Sequence, residues 1–376
     1  MKYKVQFVDL SVQYKRYGEE SIAAIRSAMA RGDYILRGDL EQFEKTMASY
    51  FKVKHVIGLG SGTDALFLAL KAAGIKEGDE VITVGFTCVA TLAAIANCGA
   101  KPILVDVTED YNMDVDQVEQ VITKRTKAIL PVHLNGRVCQ MGKLMDIASK
   151  HNLIVIEDAA QAIGAFFDKQ EAGTFGLAGC FSLYPMKIFG AAGDGGFVTT
   201  NDDTLAERIL QLRDLGQNRE TGDINCFGYN SRLDNIQAAI LNVKFKYLEE
   251  WIERRRGIAS MYNRGLFDLS ELTLPHQPDK YRHFYDVFQN YVIRTKERDK
   301  LVKHLNNCKI EVLTSWYLSK PLHYHKALDL TQFKLPKTEQ FAKECISIPL
   351  NTEISNEQVN YVIKSIRDFY GQIKNV

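Results

Sequence analysis

HVIGLG (residues 55–60) runs directly into SGTDALFLALKAAG (residues 61–74). The first stretch is a short apolar run of strand length, and the second carries its apolar residues at helical spacing. The pairing recurs downstream, where EVITVG (80–85) precedes CVATLAAIANCGA (88–100). KPILVDV (101–107), KAILPVHL (127–134) and LIVIEDA (153–159) are further apolar runs, mostly separated by helical stretches such as MGKLMDIASKHN (141–152). Strands this uniformly apolar suit a mainly parallel sheet covered on both faces by helices, so the expected class is α/β.

Outward from that alternation, residues 1–50 read as an opening segment followed by helical patterns, including EQFEKTMASYF (41–51). LDNIQAAILNVKFKYLEEWIERRR (233–256) reads as one long amphipathic helix, after which the texture changes. FQNYVIRT (288–295) has the pattern of a strand, while ERDKLVKHLNN (297–307) and NEQVNYVIKSIRDFY (356–370) have that of helices. The expected organisation is a large domain over residues 1–250 and a smaller α+β domain over 251–376. No internal repeat is present.

The 376 residues are 46% hydrophobic and 25% charged, with a net charge of +1. That balance offers no electrostatic case for nucleic acid or an anionic membrane as partner. The triplet Arg254, Arg255, Arg256 reads as a solvated helix end. Seven scattered cysteines, without CxxC or zinc-like spacing, read as reduced thiols and give no metal site. No uncharged run approaches the ~20 residues that span a bilayer, and MKYKVQFVDL lacks a signal-peptide core. The expectation is a cytoplasmic globular protein.

Three stretches carry chemistry. GLGSGTDAL (58–66) imitates a dinucleotide fingerprint, but its spacing is Gly58-x-Gly60-x-Gly62, and Asp79 and Glu80 open the next strand instead of closing one. The N–H groups of Ser61, Gly62 and Thr63, with the Thr63 hydroxyl, would equally make an anion cup at a helix start, or the stretch is a structural turn. In LIVIEDAAQAIGA (153–165), Asp158 ends a buried-looking strand, where a carboxylate is costly unless a cation meets it; the plainer alternative is a helix N-cap. SLYPMKIFGAAGDGG (182–196) then places Lys187 among residues that let the chain turn sharply. An anion cup, a buried acid and a lysine are together what pyridoxal 5′-phosphate requires: the cup for its phosphate, the acid for its ring nitrogen, the lysine for its aldehyde.

With these and GDEVI, TKAILPVHL, SLYPMKIFGAAGDGGFVTTND, GYNSRLDNIQAAIL and IPLNTEISNEQVNYV, the chain resembles the DegT/DnrJ/EryC1/StrS sugar aminotransferase family over nearly its whole length. The resemblance implies an aspartate-aminotransferase-type fold with a mixed, mostly parallel sheet. It implies that Lys187 is the cofactor's lysine, Asp158 the partner of its ring nitrogen and Gln161 the neighbour of its 3-hydroxyl. Gly62, Thr63 and Ser182 would contact the phosphate. Asn230 would reach the phosphate of a neighbouring subunit, which implies a homodimer with shared active sites. Family members with histidine at position 187 are dehydratases, so lysine there favours amino transfer. GYNSRLD (228–234) resembles members that aminate carbon 3 of a nucleotide-linked (dTDP or UDP) ketosugar, with L-glutamate as donor; members acting on carbon 4 more often read NYRM.

The chain also departs from the pattern. Cys88 stands where the family has an aromatic ring against the cofactor, with Phe86 as a candidate to compensate, and Asn135 replaces a common tyrosine. TSWYLSKPLH (314–323) places Tyr317 and Leu318 where substrate contacts are expected, and His323 still matches; Phe86, Tyr317 and His323 are the substrate contacts the resemblance implies. The rival readings are a carbon-4 aminotransferase, a dinucleotide-dependent dehydrogenase and a non-catalytic binding protein on the same fold.

Overall fold

The computed structural model of the protein describes residues 3–278, 283–314 and 320–373. Two helices come first, α1 (Leu10–Arg31) and α2 (Gly38–Phe51). The Asp9 carboxylate caps the start of α1 by accepting from the N–H groups of Ser11 and Val12. The alternation then follows as β1 (His55–Leu59), α3 (Gly62–Ala72), β2 (Glu80–Val84), α4 (Val89–Asn97), β3 (Lys101–Val105), β4 (Thr126–Ile129), α5 (Met141–His151) and β5 (Ile154–Asp158). Two short strands, β6 (Phe166–Phe167) and β7 (Gln170–Glu171), precede β8 (Ala178–Ser182), β9 (Gly196–Thr200) and α6 (Asp203–Arg213).

The main sheet has seven strands in the order β1-β9-β8-β5-β4-β2-β3. The pairs β2–β3, β2–β4, β4–β5 and β5–β8 are parallel, whereas β9 is antiparallel to both β1 and β8. Only β9 is reversed, so the carboxyl ends of the other six strands share one edge. The Phe181 and Phe197 rings of β8 and β9 stack with centroids 4.5 Å apart, a contact of the kind that contributes about 0.5–1.5 kcal/mol beyond area burial. The topology also disposes of the dinucleotide reading. β1 is an edge strand bonded to an antiparallel neighbour, not the central parallel strand that a dinucleotide fold puts before its glycines.

The expected single helix over 233–256 is two: α7 (Asn235–Lys244) and α8 (Leu248–Leu266), separated by a tight turn at Phe245–Tyr247. Tyr247, at φ −105° and ψ −5°, departs from ideal α-helical angles at the junction. The arginine triplet is mid-helix, and two of its members are buried, not solvated. Arg255 donates to the carbonyls of Phe288, Gln289 and Leu350, and Arg256 stacks 3.7 Å from the centre of the Tyr285 ring. Beyond α8 come β10 (Phe284–Tyr285), β11 (Tyr291–Arg294), α9 (Arg298–Asn307), α10 (Pro336–Glu344), β12 (Cys345–Ile348) and α11 (Asn356–Ile373).

A first core wraps the main sheet, and a second lies between α8, α9, α11 and the antiparallel pair β11–β12. α8 serves both, with Trp251 and Ile252 in the first and Ile258, Tyr262 and Leu266 in the second. Val5 also sits in the second core, held by a parallel bridge to Ile310, so the opening segment packs with the later part of the chain. Among the described residues no helix is long and apolar enough to cross a membrane.

Candidate active site

The shared carboxyl edge gathers several of the residues singled out by sequence. Asp158 is the last residue of β5, and no helix follows it, so the N-cap alternative falls away. Its neighbour Glu157 points to the opposite face, as strand alternation requires. There Glu157 is satisfied by the N–H groups of Gly173, Phe175 and Gly176 and by His133 Nε2, a structural clasp. Asp158 has fewer partners: Thr91 Oγ1 donates to Oδ2 at 2.8 Å, and the N–H of Ala160 reaches Oδ1 at 3.2 Å. Thr91, in the first turn of α4, is in turn paired with Thr87 at 2.9 Å. Burial pushes the Asp158 carboxyl above its ordinary value, against Thr91, Ala160 and the charges of Lys187 and His133.

Lys187 lies in the link between β8 and β9, which reversal of β9 turns back over the same edge. Its side chain is half-buried, and its Nζ makes no hydrogen bond or ion pair among the described residues. Burial lowers the amine below its ordinary value, opposed by Asp158 and Cys88, which places all three side chains in one electrostatic neighbourhood. Acid and amine are thus each destabilised in charged form, and neither fully compensates the other.

The cup is formed where β1 hands over to α3. The Ser61 side chain caps the helix by accepting from the N–H of Asp64 at 3.0 Å, leaving the N–H groups of Gly62 and Thr63 without partners among the described residues. A Cβ on Gly62 would lie 2.6 Å from Cβ of Ser182, the last residue of β8, and one on Gly196 would lie 2.4 Å from the Ser61 carbonyl. The backbone itself therefore presses against Ser182, and only glycine allows it. Ser231 closes the back of the cup, donating to Asp64 and accepting from the N–H of Gly60.

Gln161 is half-buried and accepts from the N–H of Asn135 at 2.8 Å. Cys88 stands half-buried at the N-cap of α4. Asn230 is exposed, and its side chain joins none of these groups. Two expected substrate contacts need correction. Phe86 is fully buried, stacked 5.8 Å from Tyr111 and edge-on to Phe341, so its ring serves the aromatic core. His323 is also fully buried and is tied to Glu339 at 3.2 Å. Tyr317 and Leu318 lie outside the described residues. Thr91 and Ser231 escaped the sequence reading; hydroxyls four residues apart at the start of an otherwise apolar helix, Thr87 and Thr91, were the available signal.

Comparison with known proteins agrees with this geometry. The model of the DegT/DnrJ/EryC1/StrS aminotransferase family matches residues 15–367. The chain is 42% identical over 370 residues to a "pleiotropic regulatory protein" of Geobacillus stearothermophilus, covering 97% of this chain and 98% of that one. It is 38% identical over 375 residues to the dTDP-3-amino-3,4,6-trideoxy-alpha-D-glucose transaminase of Streptomyces venezuelae, covering 98% and 97%. The solved structure of S. venezuelae DesV in complex with ketimine intermediate matches with a TM-score of 0.92 at 37% identity, covering 98% of both chains.

Proposed function

The chain belongs to the DegT/DnrJ/EryC1/StrS aminotransferase family and is a nucleotide-sugar aminotransferase; on that premise we propose that it aminates carbon 3 of a dTDP- or UDP-linked ketosugar, with L-glutamate as donor. The observation that carries the assignment of its site is the meeting of Lys187, Asp158 and the open N-terminus of α3 at one sheet edge.

The family is pyridoxal phosphate-dependent, and the residues present fit that cofactor. The unpartnered N–H groups of Gly62 and Thr63 and the Ser182 hydroxyl would hold the phosphate. Asp158, short of a compensating cation, would hold the proton of the ring nitrogen. Gln161 keeps its NH₂ for the 3-hydroxyl, its oxygen being committed to Asn135. When bound, the cofactor supplies an electron-accepting ring that acidifies the hydrogen on the amine-bearing carbon. Lys187 takes that proton at Nζ and returns it, which its lowered basicity suits. Thr91 favours the ionised form of Asp158 and orients it.

Support for carbon 3 comes from GYNSRLD and from the product named for the Streptomyces relative. The proposed functional unit is a homodimer in which Asn230 serves the partner's site. Asn230 lies beside Leu215, Ile224, Phe227 and Tyr229, an exposed apolar group in which Phe227 is fully open to solvent. The test is reduction of purified protein with borohydride, peptide mass spectrometry, and NMR of the product from candidate ketosugars. The reading expects a cofactor adduct on Lys187, loss of amino transfer in a folded Lys187→Ala variant, and nitrogen on carbon 3. Full turnover by that variant would refute the role of Lys187, and nitrogen on carbon 4 would refute the regiochemistry.

A further inference from the structure

The link that carries Lys187 has no regular structure, so something other than a helix or strand must set the direction of its side chain. The peptide groups on either side of Lys187 are both taken by one side chain from between β10 and β11. Gln289 Nε2 donates to the carbonyl of Met186 at 2.9 Å, and Gln289 Oε1 accepts from the N–H of Ile188 at 2.9 Å. A primary amide presents a donor and an acceptor on one flat end, and only one of its two orientations satisfies this pair. Gripping both peptides removes rotation of the backbone about the Lys187 Cα.

Gln289 is itself held firmly and is 8% exposed. Its N–H donates to the Asn135 carbonyl at 3.0 Å, and that of Val287 donates to the Gly136 carbonyl at 2.9 Å. Phe288 between them adopts φ +54°, a left-handed conformation that a bulky residue keeps only where its surroundings enforce it. Gly136 faces it at φ +90°, and a Cβ there would lie 2.8 Å from the Phe288 nitrogen. The buried Arg255 guanidinium fastens the carbonyls of Phe288 and Gln289 from behind, each at 3.1 Å. Asn135, which receives Gln289 at its carbonyl, gives its own N–H to Gln161. One backbone junction therefore references both Lys187 and Gln161.

We infer that Gln289 is a positioning residue for amino transfer, aligning Lys187 by clamping its two flanking peptides to the Asn135–Gln161 junction. This rests on the reading of Lys187 as the cofactor lysine. Displacement of a proton-transfer group by about 1 Å is enough for a loss of about 100-fold. Gln289→Leu removes both bonds. Gln289→Glu keeps the acceptor for Ile188 but sets a carboxylate against the Met186 carbonyl. Gln289→Asn is one methylene short.

Single-turnover amino transfer with L-glutamate, KM for the nucleotide sugar, the spectral pH midpoint of the Lys187-linked cofactor and hydrogen exchange at the Ile188 amide are measured on cofactor-loaded protein. The inference expects the single-turnover rate to fall about 100-fold in Gln289→Leu with KM within about twofold of wild type. It expects the pH midpoint to rise in Gln289→Glu, and Ile188 to lose exchange protection in Gln289→Leu and Gln289→Asn while keeping it in Gln289→Glu. Should Gln289→Leu not fold, Gln289→Asn decides by the same measurements. Unchanged rate and midpoint, or a rate loss matched by equal losses in KM and thermal midpoint, would overturn the inference and leave Gln289 a fastener between the two cores. Absence of any Lys187 adduct in wild-type protein would instead sink the proposed function, so the two failures are separable.

Discussion

Replacing Thr91 by valine removes the main support of the Asp158 carboxylate while keeping the side chain's shape. Thr91 is fully buried and Asp158 only 5% exposed, and their hydrogen bond is 2.8 Å long. A hydrogen bond to a charged acceptor contributes about 1.5–3 kcal/mol, and one pKa unit corresponds to about 1.36 kcal/mol, so the carboxyl should rise by about 1–2 units. The sign follows from the site. Asp158 already stands above its ordinary value through burial, and Thr91 is the largest influence holding it down. Asp158 works as a carboxylate, so a higher pKa means that it gains its proton earlier as the pH falls. The acid limb of the single-turnover rate with L-glutamate should therefore move upward by about 1–2 pH units, with the plateau rate at higher pH retained. Thr91→Ser restores a donor and should restore the limb. The assay is the absorbance change of the loaded cofactor across the pH range, with thermal midpoints recorded alongside. A folded Thr91→Val protein whose acid limb coincides with wild type would refute the assignment of Asp158 as the titrating partner.

Gly62→Ala should lower cofactor affinity, because the new Cβ would lie 2.6 Å from Ser182 Cβ and 2.9 Å from its Cα. Overpacking of that kind costs about 1–3 kcal/mol, which equilibrium dialysis should read as about a 5- to 150-fold rise in Kd; unchanged Kd would remove Gly62 from the phosphate cup. Mixing and reassorting Asn230→Ala with Lys187→Ala subunits should recover about a quarter of wild-type activity if Asn230 serves the partner's site, since half the dimers are mixed and each has one intact site; no recovery would place Asn230 in its own subunit's site. Burial, aided by the charge of Glu249 and opposed by Tyr50 and Lys52, pushes the Glu171 carboxyl up to about 8. Its stability contribution is thus present below the ordinary carboxylate value and lost as pH rises through about 8. Glu171→Gln should accordingly match wild type in thermal midpoint only below the ordinary carboxylate value and exceed it by a margin that grows until the pH reaches about 8, and a difference independent of pH would contradict the assignment.

What the sequence disclosed follows a physical division. Uniformly apolar runs such as EVITV and LIVIE announce strands with both faces covered, and so the parallel sheet was legible. The reversal of β9 was not, because GFVTT satisfies its hydrogen bonds equally well beside a parallel or an antiparallel neighbour. The break between α7 and α8 was hidden for a similar reason: apolar spacing continues across Phe245–Tyr247, and the departure lies in backbone angles. Arg255 and Arg256 read as solvent-facing because the carbonyls that receive them, at 286, 288, 289 and 350, are distant in the chain. Asp158 and Lys187 were legible since each is costly to place near a sheet edge without a purpose. Thr91 and Gln289 were not, since polar but uncharged side chains fit many surroundings and acquire a role only through what they face.

The opposite shifts of Asp158 and Lys187 connect stability to binding. Asp158, raised by burial, contributes stability that is lost as pH rises through its folded value. Lys187, lowered by burial, contributes stability that is lost as pH falls through its folded value. Burial disfavours the charged form of each group, and the attraction between them does not cancel the desolvation of either. A ligand relieves both only if it brings a cation to the acid and consumes the charge of the amine. A protonated ring nitrogen and an aldehyde on one rigid molecule meet both conditions, and a phosphate placed at the N-terminus of α3 meets the third. The affinity for such a ligand is therefore built partly from contacts it makes and partly from strain it removes.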